Sequence, residues 1–563
     1  MARQPLKFLK QMNFFTKITK SIKLNKYLFA ILLLAFVLRF YKLSSYPPSL
    51  YWEEAALGYD AYSLLKTGRD HRGNSWPIVY LESFMDYKPP LYVYTAIPSI
   101  AIFGLNEFAI RFPSALFGTL TVLVIYFLIR ELFKEKKELE IGLIASFLLA
   151  ISPWHLQFSR AAFESNLGLF LVTTGALFFL KAIKPPRLSN LFLPFSAIFF
   201  SLSLYAYHGT RVFTPLLVLT LGLLFIKKLW QMKLMVVFSL FLGLILSLPL
   251  INSFKSKEVQ QRFQETSVFA SLNPILESNQ KIKEDGGTLL AKLIHHRYWE
   301  YGRIFLGQYF KHFNGNYLFL SGDENRRHSI QEFGSFYHWE IITLILGIIV
   351  ILKNIKKKSY LFILIWMLLS PIPAAFTKAA PHAIRSLAGL PAFVIISSLG
   401  LVQLIPRINA GSSFGRKVLN KKRLVLGVCC LVLSAECALY LHFYYHHYPK
   451  FYSQDWQYGY KEAINFIKEN ETEYESFYLT DSHGRAYMYY LFFSQMDPKE
   501  AQQLVEPYKA VPDIPYLGKV SFNKESGELR PLMVGSAGEI SSGRLVKAIN
   551  FLDGTVAFEI RKQ

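Results

Sequence analysis

Glu53 and Glu54 stand side by side in Tyr51-Trp52-Glu53-Glu54, directly after the first long apolar segment of the chain, 26–42. The same loop later carries Asp86-Tyr87-Lys88-Pro89-Pro90. A carboxylate in such a place can act as a general base, taking a proton from an acceptor hydroxyl or amine during group transfer. A lysine beyond it offers a point-charge contact to a phosphate. Held at a bilayer surface, the pair suits a phosphate-bearing lipid. The structural alternative is as concrete. Two glutamates in the first turn of a short amphipathic helix complement its dipole, and a lysine before two prolines snorkels to the headgroup layer. His71, in Gly68-Arg69-Asp70-His71, has the chemistry of a metal ligand, although a lone loop histidine is more often simply solvated.

Further polar groups fall at the mouths of other apolar runs. Arg111 lies in Glu107-Phe108-Ala109-Ile110-Arg111, where the i,i+4 spacing predicts a helix pair with Glu107. Glu164 opens an apolar run, and a carboxylate there is costly unless paired or functional; Arg160 is its expected i,i+4 partner. Tyr205, Tyr207, His208 and Arg211 cluster at one turn, His382 and Arg385 at another, and Asp323 lies in the dense turn Ser321 to His328. Each alone reads as a capped or snorkelled residue. Together they place Arg, Lys, His and carboxylates on one face of a membrane, an arrangement suited to an anionic headgroup. Glu53, Glu54 and Glu164 are the expected catalytic groups. Lys88, Arg111, Tyr205, His208, Arg211, His382, Arg385 and Asp323 are the expected substrate-binding groups. Glu436, mid-depth in the last apolar run, finds no place in this scheme.

The elements that must position these residues follow from composition. The 563 residues are 52% hydrophobic and 18% charged, where a soluble domain carries about 25% charged. Apolar runs of about 18 to 20 residues recur, the mark of a polytopic membrane protein. The net charge of +23 does not point to nucleic acid, because the Lys and Arg fall in short clusters between apolar runs, as in loops on an anionic leaflet. The three cysteines, Cys429, Cys430 and Cys437, share one apolar run and offer the loops no disulfide framework. The basic N-terminus reads as an anchor, since no small-residue cleavage site follows it.

About eleven spans are expected, near 26–43, 108–130, 140–156, 163–181, 188–206, 212–227, 234–252, 338–352, 360–376, 386–405 and 424–444. With the N-terminus inside, basic clusters alternate: Arg130 with Lys134, Lys136 and Lys137; Lys181, Lys184 and Arg187; Lys227, Lys228 and Lys233; Lys353 and Lys356 to Lys358; Arg407 to Arg423. The run Pro89 to Phe103 is short for a span and is expected as an interfacial or re-entrant helix. The outer surface then holds a loop at 44–107, a loop at 253–337 and a tail at 446–563. The tail, with an amphipathic stretch at Trp456 to Glu469 and strand-like segments at Phe477 to Leu479 and Val556 to Ile560, is expected to be a small α/β domain. The fold class is thus an α-helical polytopic membrane protein, with residues 1–445 forming the transmembrane domain.

With these residues laid out, the chain resembles the GT-C membrane glycosyltransferases of the family 39 type, which include protein mannosyltransferases and lipid A aminoarabinose transferases. The resemblance covers roughly residues 26–445. It is carried by the acidic pair Glu53-Glu54, by Lys88-Pro89-Pro90, by Glu107 to Ser114, by Glu164, and by the Ser-Gly-Asp and Pro-His-Ala-Ile-Arg-Ser turns. It implies a GT-C-like transmembrane domain that transfers a hexose or pentose from a polyprenyl-phosphate donor to a protein, lipid or cell-envelope glycan on the outer face of a bacterial plasma membrane. Glu53 would act on the acceptor, Glu164 would support it, and Lys88 with Arg385 would hold the phosphate as it leaves. The family's first acidic position is usually aspartate; glutamate is one methylene longer, which leaves open whether Glu53 or Glu54 carries the role. No cofactor is called for, and a divalent metal is left open. Two other readings compete: a transporter or flippase for lipid-linked glycans, which should place polar groups near the midplane on broken helices, and a non-catalytic subunit that retains the scaffold.

Overall fold

The computed structural model describes residues 26–133, 138–185, 187–253, 256, 264–404, 413–509, 511, 513–523 and 530–563. The basic N-terminus, Lys134, Lys136, Lys137 and Arg407 lie outside these residues, as do the side chains of Arg423 and Cys429.

Among the described residues, six helical segments are long and apolar enough to cross a membrane: Glu107–Leu132, Glu164–Ala182, Ser189–Ala206, Lys233–Ser253, Lys358–Ala375 and Ala383–Leu404. These contain helices α4 (Glu107–Leu132), α7 (Glu164–Ala182), α8 (Phe192–Ala206), α10 (Lys233–Ser253), α13 (Lys358–Leu369) and α14 (Leu390–Leu404). A seventh expected span is bent by 58° between α5 (Glu138–Ile151) and α6 (Pro153–Ser159). The remaining expected spans are the shorter helices α1 (Lys26–Phe40), α9 (His208–Leu224) and α12 (Glu340–Lys353), and the 30-residue α15 (Ser413–His442). The count of about eleven is therefore not reached on length and apolarity alone.

The α5–α6 bend has a local cause. Ser152 caps α6 by accepting from His155 N–H, and Pro153 fills its first turn. The last carbonyls of α5, Leu149 and Ala150, which a helix end leaves without partners, accept from the buried guanidinium of Arg39 at 3.2 and 3.1 Å. Elsewhere the bundle closes through small residues. A Cβ on Gly400 of α14 would lie 1.8 Å from the Thr343 carbonyl oxygen, and one on Gly347 of α12 would lie 1.9 Å from that of Ile396. Only glycine permits this approach, the device of close-packed membrane helices.

On one end of the bundle lie α2 (Trp52–Thr67), the hairpin β1–β2 (Leu81–Ser83, Asp86–Lys88) and α3 (Leu91–Phe103). The α3 segment is a 13-residue apolar helix, too short to span, as its length in sequence predicts. The loop after α10 carries the amphipathic α11 (Arg297–Lys311). The tail forms the helices α16 (Tyr460–Glu469), α17 (Ala486–Ser494) and α18 (Pro498–Val505), and a six-stranded mixed sheet ordered β4-β5-β3-β6-β8-β7. Its strands are β3 (Phe477–Leu479), β4 (Tyr516–Leu517), β5 (Val520–Ser521), β6 (Leu532–Ser536), β7 (Arg544–Asn550) and β8 (Val556–Lys562). Strand β3 is parallel to β5 and β6, and the other pairs are antiparallel.

The tail is docked on the first loop. Leu50, Ala55, Tyr59 and Leu64 share one apolar core with Tyr460, Phe477, Tyr489, Phe492 and Phe558. Tyr489 Oη donates to the Leu50 carbonyl at 3.2 Å, Tyr59 Oη to that of Met496 at 2.9 Å, and Gln502 Nε2 to Thr67 Oγ1 at 2.9 Å. Helix α2 is thus clamped between bundle and tail.

Candidate active site

The order Glu53-Glu54 places two carboxylates at the start of α2, about 100° apart around the helix. Neighbouring residues on a helix do not face the same way, and the fold uses the two differently. Glu53 faces a cavity of about 690 Å³ beside the span mouths. Glu54 points inward and is fully buried. Its Oε1 accepts from Arg111 Nε at 3.0 Å and Ala162 N–H at 2.7 Å, and its Oε2 from Arg111 Nη2 at 2.9 Å. Arg111 also donates to the carbonyls of Leu43, Pro47 and Ser49, at 3.1, 2.8 and 2.5 Å. The pair therefore ties α4 to α2 and to the segment entering it.

The cavity is walled by Glu53, by Asp86 and Lys88 of the hairpin, by Glu164 at the start of α7, by Tyr207, His208 and Arg211, by Arg327 and His328 of the long loop, and by His382 and Arg385. Pro89 and Pro90 end β2 and start α3, so Lys88 is fixed where strand turns into helix. Its Nζ bonds Glu53 Oε1 and lies 3.1 Å from Asp86 Oδ2. Burial works to lower the lysine's pKa, but the carboxylates of Glu53 and Glu164 outweigh it and raise it above the ordinary value. Lys88 is held as a cation. Glu164 is buried, and its Oε1 has no hydrogen-bond partner among the described residues. His208 Nε2 lies 2.8 Å from the Tyr87 carbonyl, which orients the ring, and Nη1 of Arg211 lies 3.2 Å from its Nδ1. Arg385 Nη1 donates to Thr377 Oγ1 at 2.5 Å. The Arg327 guanidinium stacks 4.7 Å from the Trp52 ring centroid.

Of the residues singled out in sequence, Glu53, Glu164, Lys88, His208, Arg211, His382 and Arg385 line this one cavity. Glu54, Arg111, Tyr205 and Asp323 do not. Tyr205 Oη donates to the Leu246 carbonyl on α10 at 2.6 Å. Asp323 stands behind the wall, with His328 Nδ1 3.0 Å and the donating Ala383 N–H 2.7 Å from its Oδ2. Two expected ion pairs do not form. Glu107 pairs with Lys461 of the tail at 2.5 Å, because Arg111 turns inward to Glu54. Arg160 turns away from Glu164; its Nη2 donates to the Tyr41 and Tyr46 carbonyls at 2.7 and 3.2 Å, and the guanidinium lies over the Tyr444 and Tyr445 rings. Glu436, expected mid-depth, accepts from His338 N–H at 2.7 Å, just ahead of α12, and so lies level with the mouth of that helix. His71 is buried rather than solvated, with Nδ1 2.6 Å from Asp60 Oδ1. Arg327, Tyr207 and Asp86 were passed over as site residues. Each sits in a polar turn beside a chosen residue, and the turn was the available signal. Glu265 also lines the cavity and carried no signal in sequence.

Residues 87–252 match the family described as dolichyl-phosphate-mannose-protein mannosyltransferase, a stretch that holds Lys88, Glu164, His208 and Arg211. No curated protein matches the sequence. The fold is similar to two crystal structures of ArnT from Cupriavidus metallidurans. The one bound to undecaprenyl phosphate is 12% identical, with a TM-score of 0.53 over 95% of this chain and 98% of that one. The apo form is 13% identical, with a TM-score of 0.51 over 95% and 97%. A weaker likeness, 15% identical with a TM-score of 0.49 over 83% of this chain and 63% of that one, is to the archaeal oligosaccharyltransferase AglB from Archaeoglobus fulgidus. By its fold and by the family match over residues 87–252, this integral membrane protein is a member of the GT-C superfamily, related to the lipid A aminoarabinose transferases.

Proposed function

We propose that the chain is a glycosyltransferase that moves one sugar from a polyprenyl-phosphate donor to an acceptor on the outer face of the membrane. The observation that carries this reading is the single cavity in which Glu53 is bonded to Lys88, with Glu164, Arg211 and Arg385 on the same wall. A carboxylate base and several cations at one membrane-level cavity match the charges that the reaction moves. The acceptor hydroxyl or amine gives its proton to Glu53 and attacks the anomeric carbon. The bond from that carbon to the phosphate oxygen breaks, and its electron pair leaves on the lipid phosphate. Lys88, Arg211 and Arg385 are placed to hold the growing negative charge, where charge-assisted contacts are strongest. When the donor phosphate takes up Lys88, Glu53 loses its cationic partner and its basicity rises, so donor binding would prepare the base. The related ArnT structure is described as bound to undecaprenyl phosphate, which supports a lipid phosphate as the leaving group.

Outward orientation is supported by the alternation of basic clusters between spans. The transporter reading gains nothing from the described residues, whose charged groups gather at one end of the bundle. The test is a donor screen of the purified protein against several polyprenyl-phosphate sugars, following release of free polyprenyl phosphate. Turnover of at least one donor is expected. Donors that cross a sealed vesicle bilayer without losing their sugar would favour transport instead.

A further inference from the structure

Behind the cavity wall, Asp323, His328 and His382 meet in an arrangement that the transfer chemistry above does not use. Nδ1 of His328 lies 3.0 Å, and Nδ1 of His382 3.7 Å, from the same oxygen, Oδ2 of Asp323. One ligand atom from each residue falls within 4.8 Å of the other two. Ligands bound about 2.0–2.1 Å from a tetrahedral zinc ion lie about 3.3 Å apart, and the two shorter separations bracket that value. A carboxylate–histidine hydrogen bond explains Asp323 with His328. It leaves His382 unexplained, because its Nδ1 is buried, is aimed at the same carboxylate, and has no hydrogen-bond partner among the described residues.

The supports around the three ligands are those of a metal site. Asp323 Oδ1 accepts from Asn325 N–H at 2.9 Å, and Oδ2 from Ala383 N–H at 2.7 Å. These bonds fix the carboxylate, as the groups around metal ligands do. The His382 backbone N–H donates to His312 Nε2 at 3.0 Å, which fixes the approach of that residue. Two imidazoles and one carboxylate form a donor set suited to zinc. We propose that Asp323, His328 and His382 bind one divalent cation of the zinc class, with three protein ligands and an open position on the cavity side, where His328 and His382 line the wall.

The test is equilibrium dialysis of the tag-free, detergent-purified full chain against micromolar zinc, followed by elemental analysis. It is run in a His442→Gln, His447→Gln background, since those exposed rings lie 3.2 Å apart and would take up zinc of their own. About one zinc per chain is expected, falling to about a tenth in His382→Phe and in Asp323→Asn. His382→Phe removes no hydrogen bond made by Nδ1 and leaves the Asp323–His328 pair in place, so this variant should fold. Zinc should raise the Tm of the parent and leave that of His382→Phe unchanged. Uptake well below one zinc by the parent, or full uptake by His382→Phe, would overturn the site and leave a hydrogen-bonded histidine cluster.

Discussion

Lys88 is held between Glu53 and Asp86 and stays charged although nearly buried. A cation held this way is matched to a phosphate, and losing a hydrogen bond to a charged group costs about 1.5–3 kcal/mol. Lys88→Ala should therefore raise the KM for the lipid-phosphate donor by roughly 10- to 100-fold. Unchanged donor saturation would leave Lys88 as an interface anchor. The buried Glu54–Arg111 pair makes a different prediction. Removing one partner strands the other, at a cost of about 3–5 kcal/mol. Arg111→Ala should thus lower the melting temperature in detergent sharply, whereas Lys88→Ala should hardly move it. Charges at the mouths of apolar runs pointed in sequence to Lys88 and Glu164. The roles of Glu53 and Glu54 could not be separated there, because the rotation of α2 against α4 decides which carboxylate faces the cavity.

The close crossing of α12 and α14 rests on Gly347 and Gly400, where a side chain would collide with backbone rather than with a movable side-chain tip. Gly400→Val should cost at least about 1–3 kcal/mol, read as a lower midpoint in a detergent unfolding scan. An unchanged midpoint would show that the two helices can separate without loss. Between α2 and β1, His71 is buried against Asp60, and its pKa is raised: burial lowers it, but the carboxylate outweighs burial. A raised histidine contributes stability that is complete below its unfolded value of about 6.5 and is lost as pH rises through the folded value. Melting temperature should therefore fall as pH rises from about 6.5, and His71→Gln should flatten that dependence. Equal slopes in the two proteins would contradict the pairing. The longest apolar runs were legible as spans, and the short run at Pro89 to Phe103 as a non-spanning helix. The α5–α6 bend was not, because it depends on Arg39 reaching carbonyls more than a hundred residues away.

Taken whole, the molecule brings α2, the hairpin, three span mouths and two loop turns to one cavity, and the tail clamps α2 from the far side. The tail's strands and its first helix could be read from alternation and amphipathic spacing. Its docking could not, since Tyr489, Phe492 and Gln502 meet their α2 partners more than four hundred residues apart. The central claim is that Glu53 is the base of a sugar transfer. The most direct measurement is transfer by Glu53→Gln beside the parent protein, in membranes supplied with polyprenyl-phosphate sugar, with donor binding measured in parallel. A fall in kcat of about 10²- to 10⁴-fold with donor binding retained is expected. Full activity of Glu53→Gln would contradict it.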